Sequence, residues 1–213
     1  MTTRVKICGI KTADIMAAAL AAGADDVGLV FYPKSPRHVS MAEALTLADI
    51  ARGRARVVVL TVDPSDTTLD EIVRVVRPDI VQLHGCETAA RCRAIKARWP
   101  VRVMKAIGVG MAADVERARD YAGAVDLVLF DAKPPKDAAL PGGNGVTFDW
   151  SMLAGAGVPV PFMLSGGLTP DNVADAIRAT GTTAVDVSSG VERMPGLKDA
   201  VLIQRFIAAA KGG

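Results

Sequence analysis

The sequence predicts a single-domain (β/α)8 barrel, the TIM barrel, over residues 1–213. Three observations carry that expectation. Short β-branched runs alternate with alanine-rich runs of helical spacing along the chain, and most strand starts recur every ~22–30 residues, about one βα unit. Polar residues stand at the C-terminal ends of most strands, the rim where a barrel carries its functional side chains. The glycine-rich segments come late, after strands six, seven and eight, where barrels commonly hold phosphate. A doubly wound open sheet is the alternative, but no GxGxxG follows the first strand.

Eight apolar runs qualify as strands: Val5–Cys8, Asp26–Phe31, Arg56–Val62, Ile80–Leu83, Val101–Ala106, Leu127–Phe130, Pro161–Leu164 and Ala184–Val187. Helical patterns lie between them at Ala13–Ala22, Met41–Ala51, Leu69–Val76, Glu87–Arg98, Ala112–Ala122 and Pro170–Ala179, and Asp199–Ala210 closes the chain. Thr169-Pro170 offers a capping hydroxyl followed by a first-turn proline, and Gly23 and Gly181 follow helix ends. The longest loop, Asp131 to Thr147, has the length of an active-site flap.

Composition narrows the function. Half of the residues are hydrophobic, enough for a sizeable core, and 25 basic side chains nearly balance 23 acidic ones. That balance gives no support for a nucleic-acid partner. No apolar run approaches the length of a membrane span, so no membrane partner is expected. MTTRVKI lacks an apolar signal core, and a cytoplasmic location is expected. The three cysteines, Cys8, Cys86 and Cys92, are an odd and sparse set, expected to be free thiols. With only His38 and His84, no Cys/His spacing resembles a zinc site, and no metal is expected. A monomer is expected, with a dimer as the alternative.

One rim reads as an anion site. Ser165-Gly166-Gly167 follows strand seven, Ser188-Ser189-Gly190 follows strand eight, and Gly142-Gly143-Asn144-Gly145 lies in the long loop. Each alone reads as readily as a tight turn. Together, at these barrel positions, they point to backbone N–H groups gripping the phosphate of a small molecule.

The other half of the rim carries chemistry. Asp131 follows Val128-Leu129-Phe130 and shares parity with Leu127 and Leu129. If that face points inward, its carboxylate reaches the barrel mouth. Cys8 ends strand one, in parity with Lys6 and Arg4. Most free cysteines are buried small hydrophobes, but a face that already carries Lys6 is not uniformly apolar. An inward Lys6 needs an anion, and Asp186 on the adjacent strand eight is the candidate. Arg37 in Ser35-Pro36-Arg37-His38 reads as a solvated loop cation or a ligand contact, and His84 at the end of strand four as a structural or a site histidine. Cys86, Cys92, Trp99 and Trp150 read as structural. A cysteine base facing a carboxyl acid suits proton transfer without redox chemistry.

The chain resembles the phosphoribosylanthranilate isomerase family of tryptophan biosynthesis over nearly its whole length. The resemblance rests on KICGI at 6–10, DDVGLVFYPKSPRHV at 25–39, VQLHG at 81–85, LFDAK at 129–133, GGNG at 142–145, LSGGLTPDNV at 164–173, DVSSGVE at 186–192 and PGLKD at 195–199. It implies an Amadori rearrangement of N-(5'-phosphoribosyl)anthranilate to 1-(2-carboxyphenylamino)-1-deoxyribulose 5-phosphate, the third step from chorismate. In that likeness Asp131 matches the general acid and Cys8 the general base. Arg37 matches the residue that meets the anthranilate part, and His84 and Asp186 match positions lining the same mouth. The glycine clusters match the phosphate grip, and no cofactor is implied. Asn144 stands where many relatives carry a small hydroxyl residue; because the backbone does the binding, little effect is expected.

Rival readings lack support in the residues. A metal-dependent epimerase needs a convergent His and acidic ligand set. An indole-forming synthase needs a lysine acid in a matched motif. A non-catalytic phosphosugar binder has no reason to keep Cys8 and Asp131 at opposing strand ends.

Overall fold

The computed structural model describes residues 2–134, 142–143 and 145–212. Eight parallel strands close into a barrel in chain order: β1 (Arg4–Cys8), β2 (Asp26–Phe31), β3 (Arg56–Thr61), β4 (Ile80–Leu83), β5 (Arg102–Val109), β6 (Leu127–Ala132), β7 (Phe162–Leu164) and β8 (Ala184–Val187). The β1–β8 pairing that closes it sets Lys6 opposite Asp186. Seven helices cover the outside among the described residues: α1 (Ala13–Ala21), α2 (Met41–Ala51), α3 (Asp66–Val75), α4 (Ala89–Arg98), α5 (Ala112–Glu116), α6 (Val173–Thr180) and α7 (Ala200–Gly212). Among the described residues, the connection from β6 to β7 carries only a 3-10 turn at Trp150–Leu153.

Local chemistry explains most boundaries. Thr12, Ser40, Ser65 and Thr88 each accept a backbone N–H of the following first turn through a side-chain oxygen. Ser65 therefore starts α3 at Asp66, before the apolar run that begins at Leu69. Gly181 ends α6 in the left-handed conformation. Thr169-Pro170, by contrast, does not cap that helix. The Thr169 N–H donates to Asn172 Oδ1 at 2.8 Å, making a turn of its own, and α6 begins only at Val173. β5 runs on to Val109, and β6 includes Asp131 and Ala132, because their backbones pair with each other beyond the apolar runs.

After β8 the chain adds an antiparallel hairpin that the sequence did not announce, β9 (Glu192–Met194) with β10 (Leu197–Lys198). Both strands are shorter than any alternation pattern can reveal.

Two apolar layers hold the fold. The larger one lies between the outer face of the sheet and the helices, and includes Val5, Ile7, Val27, Leu29, Ile72 and Phe206. The smaller one fills the barrel itself with Val58, Ile80, Met104, Leu127, Leu129 and Met163. Leu127 and Leu129 thus point inward, as the parity argument for Asp131 requires. At the N-terminal end of the barrel, Asp26 is buried between Arg4 (2.6 Å) and Arg56 (2.9 Å). Cys92 packs in the outer core, whereas Cys86 is exposed and is not a packing residue. Trp99 is buried, with its indole N–H donating to Asp70 at 2.8 Å, and Trp150 packs half-buried against the outer core. No helix among the described residues is long and apolar enough to cross a membrane.

Candidate active site

The C-terminal rim encloses one cavity lined by Cys8, Arg37, Gln82, His84, Asp131, Ser165, Asp186 and the loops around them. Eight strand ends converge there, so residues far apart in sequence share one mouth.

Cys8 is the last residue of β1, and its side chain is buried against β2. The register pairs it with Gly28. A Cβ at Gly28 would lie 2.8 Å from Cys8 Sγ, so glycine is the residue that leaves room for the thiol. Gly28→Ala is expected to overpack the barrel, costing about 1–3 kcal/mol. Thermal unfolding should record a lower Tm, and activity should fall as the thiol is pushed aside; an unchanged Tm and rate would refute the crowding argument.

Beneath Cys8 lies the ion pair the sequence anticipated. Lys6 is fully buried, and its Nζ donates to Asp186 Oδ1 at 2.8 Å. Ser165 Oγ donates to the other carboxylate oxygen at 3.3 Å. Burial works against the Lys6 ammonium, but Asp186 and Cys8 outweigh it and hold its pKa above the ordinary lysine value. Burial likewise pushes the Cys8 thiol up. The Lys6 and Lys198 cations pull against that shift, Asp186 adds to it, and the thiol ends above its ordinary value.

Asp131 closes the opposite wall of the mouth from β6. Its Oδ1 accepts the N–H of Ala132 at 2.9 Å, and its Oδ2 lies 3.4 Å from His84 Nε2. On the far side of that ring, Gln82 Nε2 donates to Nδ1 at 3.1 Å. The Gln82 amide and the Asp131 carboxylate thus meet the ring from opposite sides. Gln82 is fully buried, and its Oε1 has no partner among the described residues.

His84 is itself held from behind by a group the sequence reading did not single out. Lys105 Nζ donates to the Leu83 and Gly85 carbonyls (3.3 and 2.7 Å) and to Glu87 (3.0 Å). Glu87, expected inside a helix, lies just ahead of α4. Its carboxylate accepts the N–H groups of Gly85 and Asp63.

The long loop reaches over these groups. A Cβ on Gly142 would fall 2.6 Å from Asp131 Oδ2 and 2.7 Å from His84 Nε2, so a larger residue cannot take this path. The Gly143 carbonyl accepts from Arg37 Nη2 at 3.3 Å. Asn144 lies outside the described residues, as does the stretch 135–141.

Ser165, Gly166, Gly167, Ser188 and Ser189 line the same cavity, together with Gly142, Gly143 and Gly145. Gly190 does not line it. Its backbone runs against the Leu168 carbonyl and leaves no space for a side chain, which brings the β7 and β8 loops together.

Arg37 is buried, not solvated. It donates from Nε and Nη2 to the two carboxylate oxygens of Glu192, both at 2.8 Å. Glu192 also accepts from the buried Lys198 at 2.7 Å. The sequence contained both residues within quoted motifs, but no spacing pairs them; the β9–β10 hairpin does.

This chain matches the family model described as "PRAI: N-(5'phosphoribosyl)anthranilate (PRA) isomerase" over residues 5–209. The chain belongs to the phosphoribosylanthranilate isomerase family. Among its relatives, the N-(5'-phosphoribosyl)anthranilate isomerase of Rhodopseudomonas palustris is 54% identical over 211 residues, covering 99% of this chain and 97% of the relative. That of Paramagnetospirillum magneticum is 53% identical over 213 residues, covering 100% and 99%. Among solved structures, the phosphoribosyl anthranilate isomerase of Thermotoga maritima superposes with a TM-score of 0.89 at 39% identity, covering 99% of this chain and all of that one. A family structure in complex with reduced 1-(o-carboxyphenylamino)-1-deoxyribulose 5-phosphate superposes at 0.86 and 37%, with the same coverage.

Proposed function

We propose that this chain is one catalytic domain that isomerises N-(5'-phosphoribosyl)anthranilate to 1-(2-carboxyphenylamino)-1-deoxyribulose 5-phosphate in tryptophan biosynthesis. Cys8 and Asp131 are its base and acid. The carrying observation is that these two groups, from β1 and β6, open on one cavity also lined by Arg37 and the serine–glycine loops.

The reaction needs an acid at one oxygen and a base at a neighbouring carbon. Asp131 in its acid form protonates the furanose ring oxygen, and the ring opens to an iminium. The Cys8 thiolate then takes the proton from the adjacent sugar carbon, giving a neutral enolamine. The enol loses its hydroxyl proton and the former anomeric carbon gains one, forming the ketone. Cys8 ends protonated and Asp131 ionised, and proton exchange through the mouth resets both. No net oxidation occurs, so the steps call for no electron acceptor. Each positioned group supplies about 10²–10⁴-fold, and orientation the rest.

The remaining roles follow from chemistry and position. The backbone at Gly142, Gly143, Gly145, Ser165, Gly166, Gly167, Ser188 and Ser189 grips the phosphate. Gly190 supports that grip from outside the cavity, and the same backbone role is proposed for Asn144. His84 and Asp186 orient the acid and the base. Arg37 pairs with the anthranilate carboxylate. A monomer is the proposed working unit, with a dimer as the alternative. Its free thiols fit a reducing compartment such as the cytoplasm.

The direct test is the fluorescence of freshly made phosphoribosylanthranilate with the purified protein, without added metal or cofactor. Rapid loss of substrate fluorescence is expected, and none would refute the assignment. Arg37→Ala should weaken binding of anthranilate-bearing ligands but leave inorganic phosphate unchanged. Calorimetry that finds both weakened equally would remove Arg37 from that role.

A further inference from the structure

Arg37 reaches the cavity as part of a buried charge cluster built by the β9–β10 hairpin. Lys198 and Glu192 are cross-strand partners in that hairpin. Glu192 takes both Nε and Nη2 of Arg37, and Lys198 Nζ closes on the same carboxylate. Lys198 also donates to the Ser188 carbonyl (2.9 Å) and Oγ (3.2 Å), and Ser188 Oγ donates to the Cys8 carbonyl at 3.2 Å. All three charged side chains are nearly inaccessible, at 6%, 3% and 2% exposure for Arg37, Glu192 and Lys198.

With all three groups ionised the cluster carries a net charge of +1; burial pulls the Lys198 pKa below the ordinary lysine value, and its bond to Glu192 opposes that pull. A lone Arg37–Glu192 pair would be neutral and would offer an incoming anion little. Glu192 occupies one edge of the guanidinium, from Nε to Nη2. Nη1 donates to nothing among the described residues, and Nη2 keeps only the long contact to the Gly143 carbonyl. The other edge, Nη1 with Nη2, lies against the Gly143 backbone; it is the second fork of a guanidinium and fits one more carboxylate bidentately when that loop gives way. The acidity of Glu192 fits this arrangement. Burial opposes its ionisation, but the Arg37 and Lys198 bonds prevail and hold its pKa below the ordinary carboxylate value.

We propose that Glu192 is a positioning residue for substrate recognition: it clamps one edge of Arg37 so that the other faces the substrate carboxylate, while Lys198 keeps the cluster cationic. This rests on the reading of Arg37 as the anthranilate contact. The clamp orders a flexible side chain before binding, so binding does not have to supply that ordering. It acts on ground and transition states alike, and therefore on KM more than on kcat.

The test is a pair of steady-state measurements in two backgrounds, with ribose 5-phosphate inhibition as the control for the phosphate grip. Glu192→Gln should raise KM for phosphoribosylanthranilate at least about tenfold and leave kcat within about threefold. The ribose 5-phosphate inhibition constant should not move. In an Arg37→Ala background the same change should add almost nothing to KM, because the group it positions is gone. If Glu192→Gln does not fold, Glu192→Asp, which keeps the charge but draws the carboxylate back from Arg37, carries the same expectation. A KM within twofold of the parent, an equal KM increase in both backgrounds, or a matching loss of ribose 5-phosphate affinity overturns the clamp. A normal KM for Arg37→Ala overturns the reading of Arg37 together with it, which distinguishes the two failures.

Discussion

Cys8→Ala should lower kcat at least about a thousandfold, with little change in affinity for phosphate-bearing ligands. The thiol sits at the end of β1, while the serine–glycine loops belong to β7, β8 and the long loop. Removing the sulfur deletes the base and leaves those loops in place. Ser188, which touches residue 8, does so through the backbone carbonyl, which alanine retains. The pH dependence has a definite sign. Burial holds the thiol pKa above its ordinary value, so the reactive thiolate is a minor species near neutrality. Below that pKa the thiolate fraction rises tenfold per pH unit, and alkylation of Cys8 by iodoacetamide should climb with pH in the parent. A thiol-specific rise of this kind should be absent from Cys8→Ser, whose hydroxyl does not ionise in that range. Steady-state fluorescence measures the loss of turnover, and site-resolved alkylation kinetics across about pH 6–9 measure the thiolate. Near-normal turnover in Cys8→Ala would remove the residue from its role.

Asp131→Asn should be as damaging, for a different reason. The amide is nearly isosteric, so the contact to Ala132 can persist and stability should change little. What is lost is a transferable proton at the position of the ring oxygen. Turnover should fall at least about a thousandfold, while ribose 5-phosphate still inhibits at parental concentrations. A variant that keeps more than a tenth of parental kcat would show that ring opening draws its proton elsewhere.

The site was legible in outline because a barrel makes strand ends equivalent. Once eight strands are placed, parity alone sends Leu127, Leu129 and Asp131 inward, and Lys6 with Cys8. Closure alone sets Lys6 beside Asp186, found 2.8 Å away. Arg37 was less legible. A cation in a proline-containing loop normally stays in solvent, and its burial depends on an acidic partner 155 residues away in sequence. Glu87 illustrates a second limit. It opens a run of helical composition, yet a buried Lys105 on the next strand, β5, holds its carboxylate ahead of the helix. Thr169-Pro170 shows a third: its hydroxyl does accept the Asp171 N–H, but within a separate turn closed by Asn172 ahead of α6.

By itself, the sequence determined the barrel, the order of its strands, the faces of its inward residues and the family. These follow from short-range periodicity, from closure and from motifs that need no coordinates. Tertiary structure alone decided the electrostatics of the mouth. It placed Gln82 behind His84, brought Lys105 beneath it, and folded a two-stranded hairpin back over the rim so that Glu192 holds Arg37. Those pairings are set by where the backbone runs after folding. The energy of a buried charge depends on what lies within a few ångströms of it, not on what lies near it in sequence.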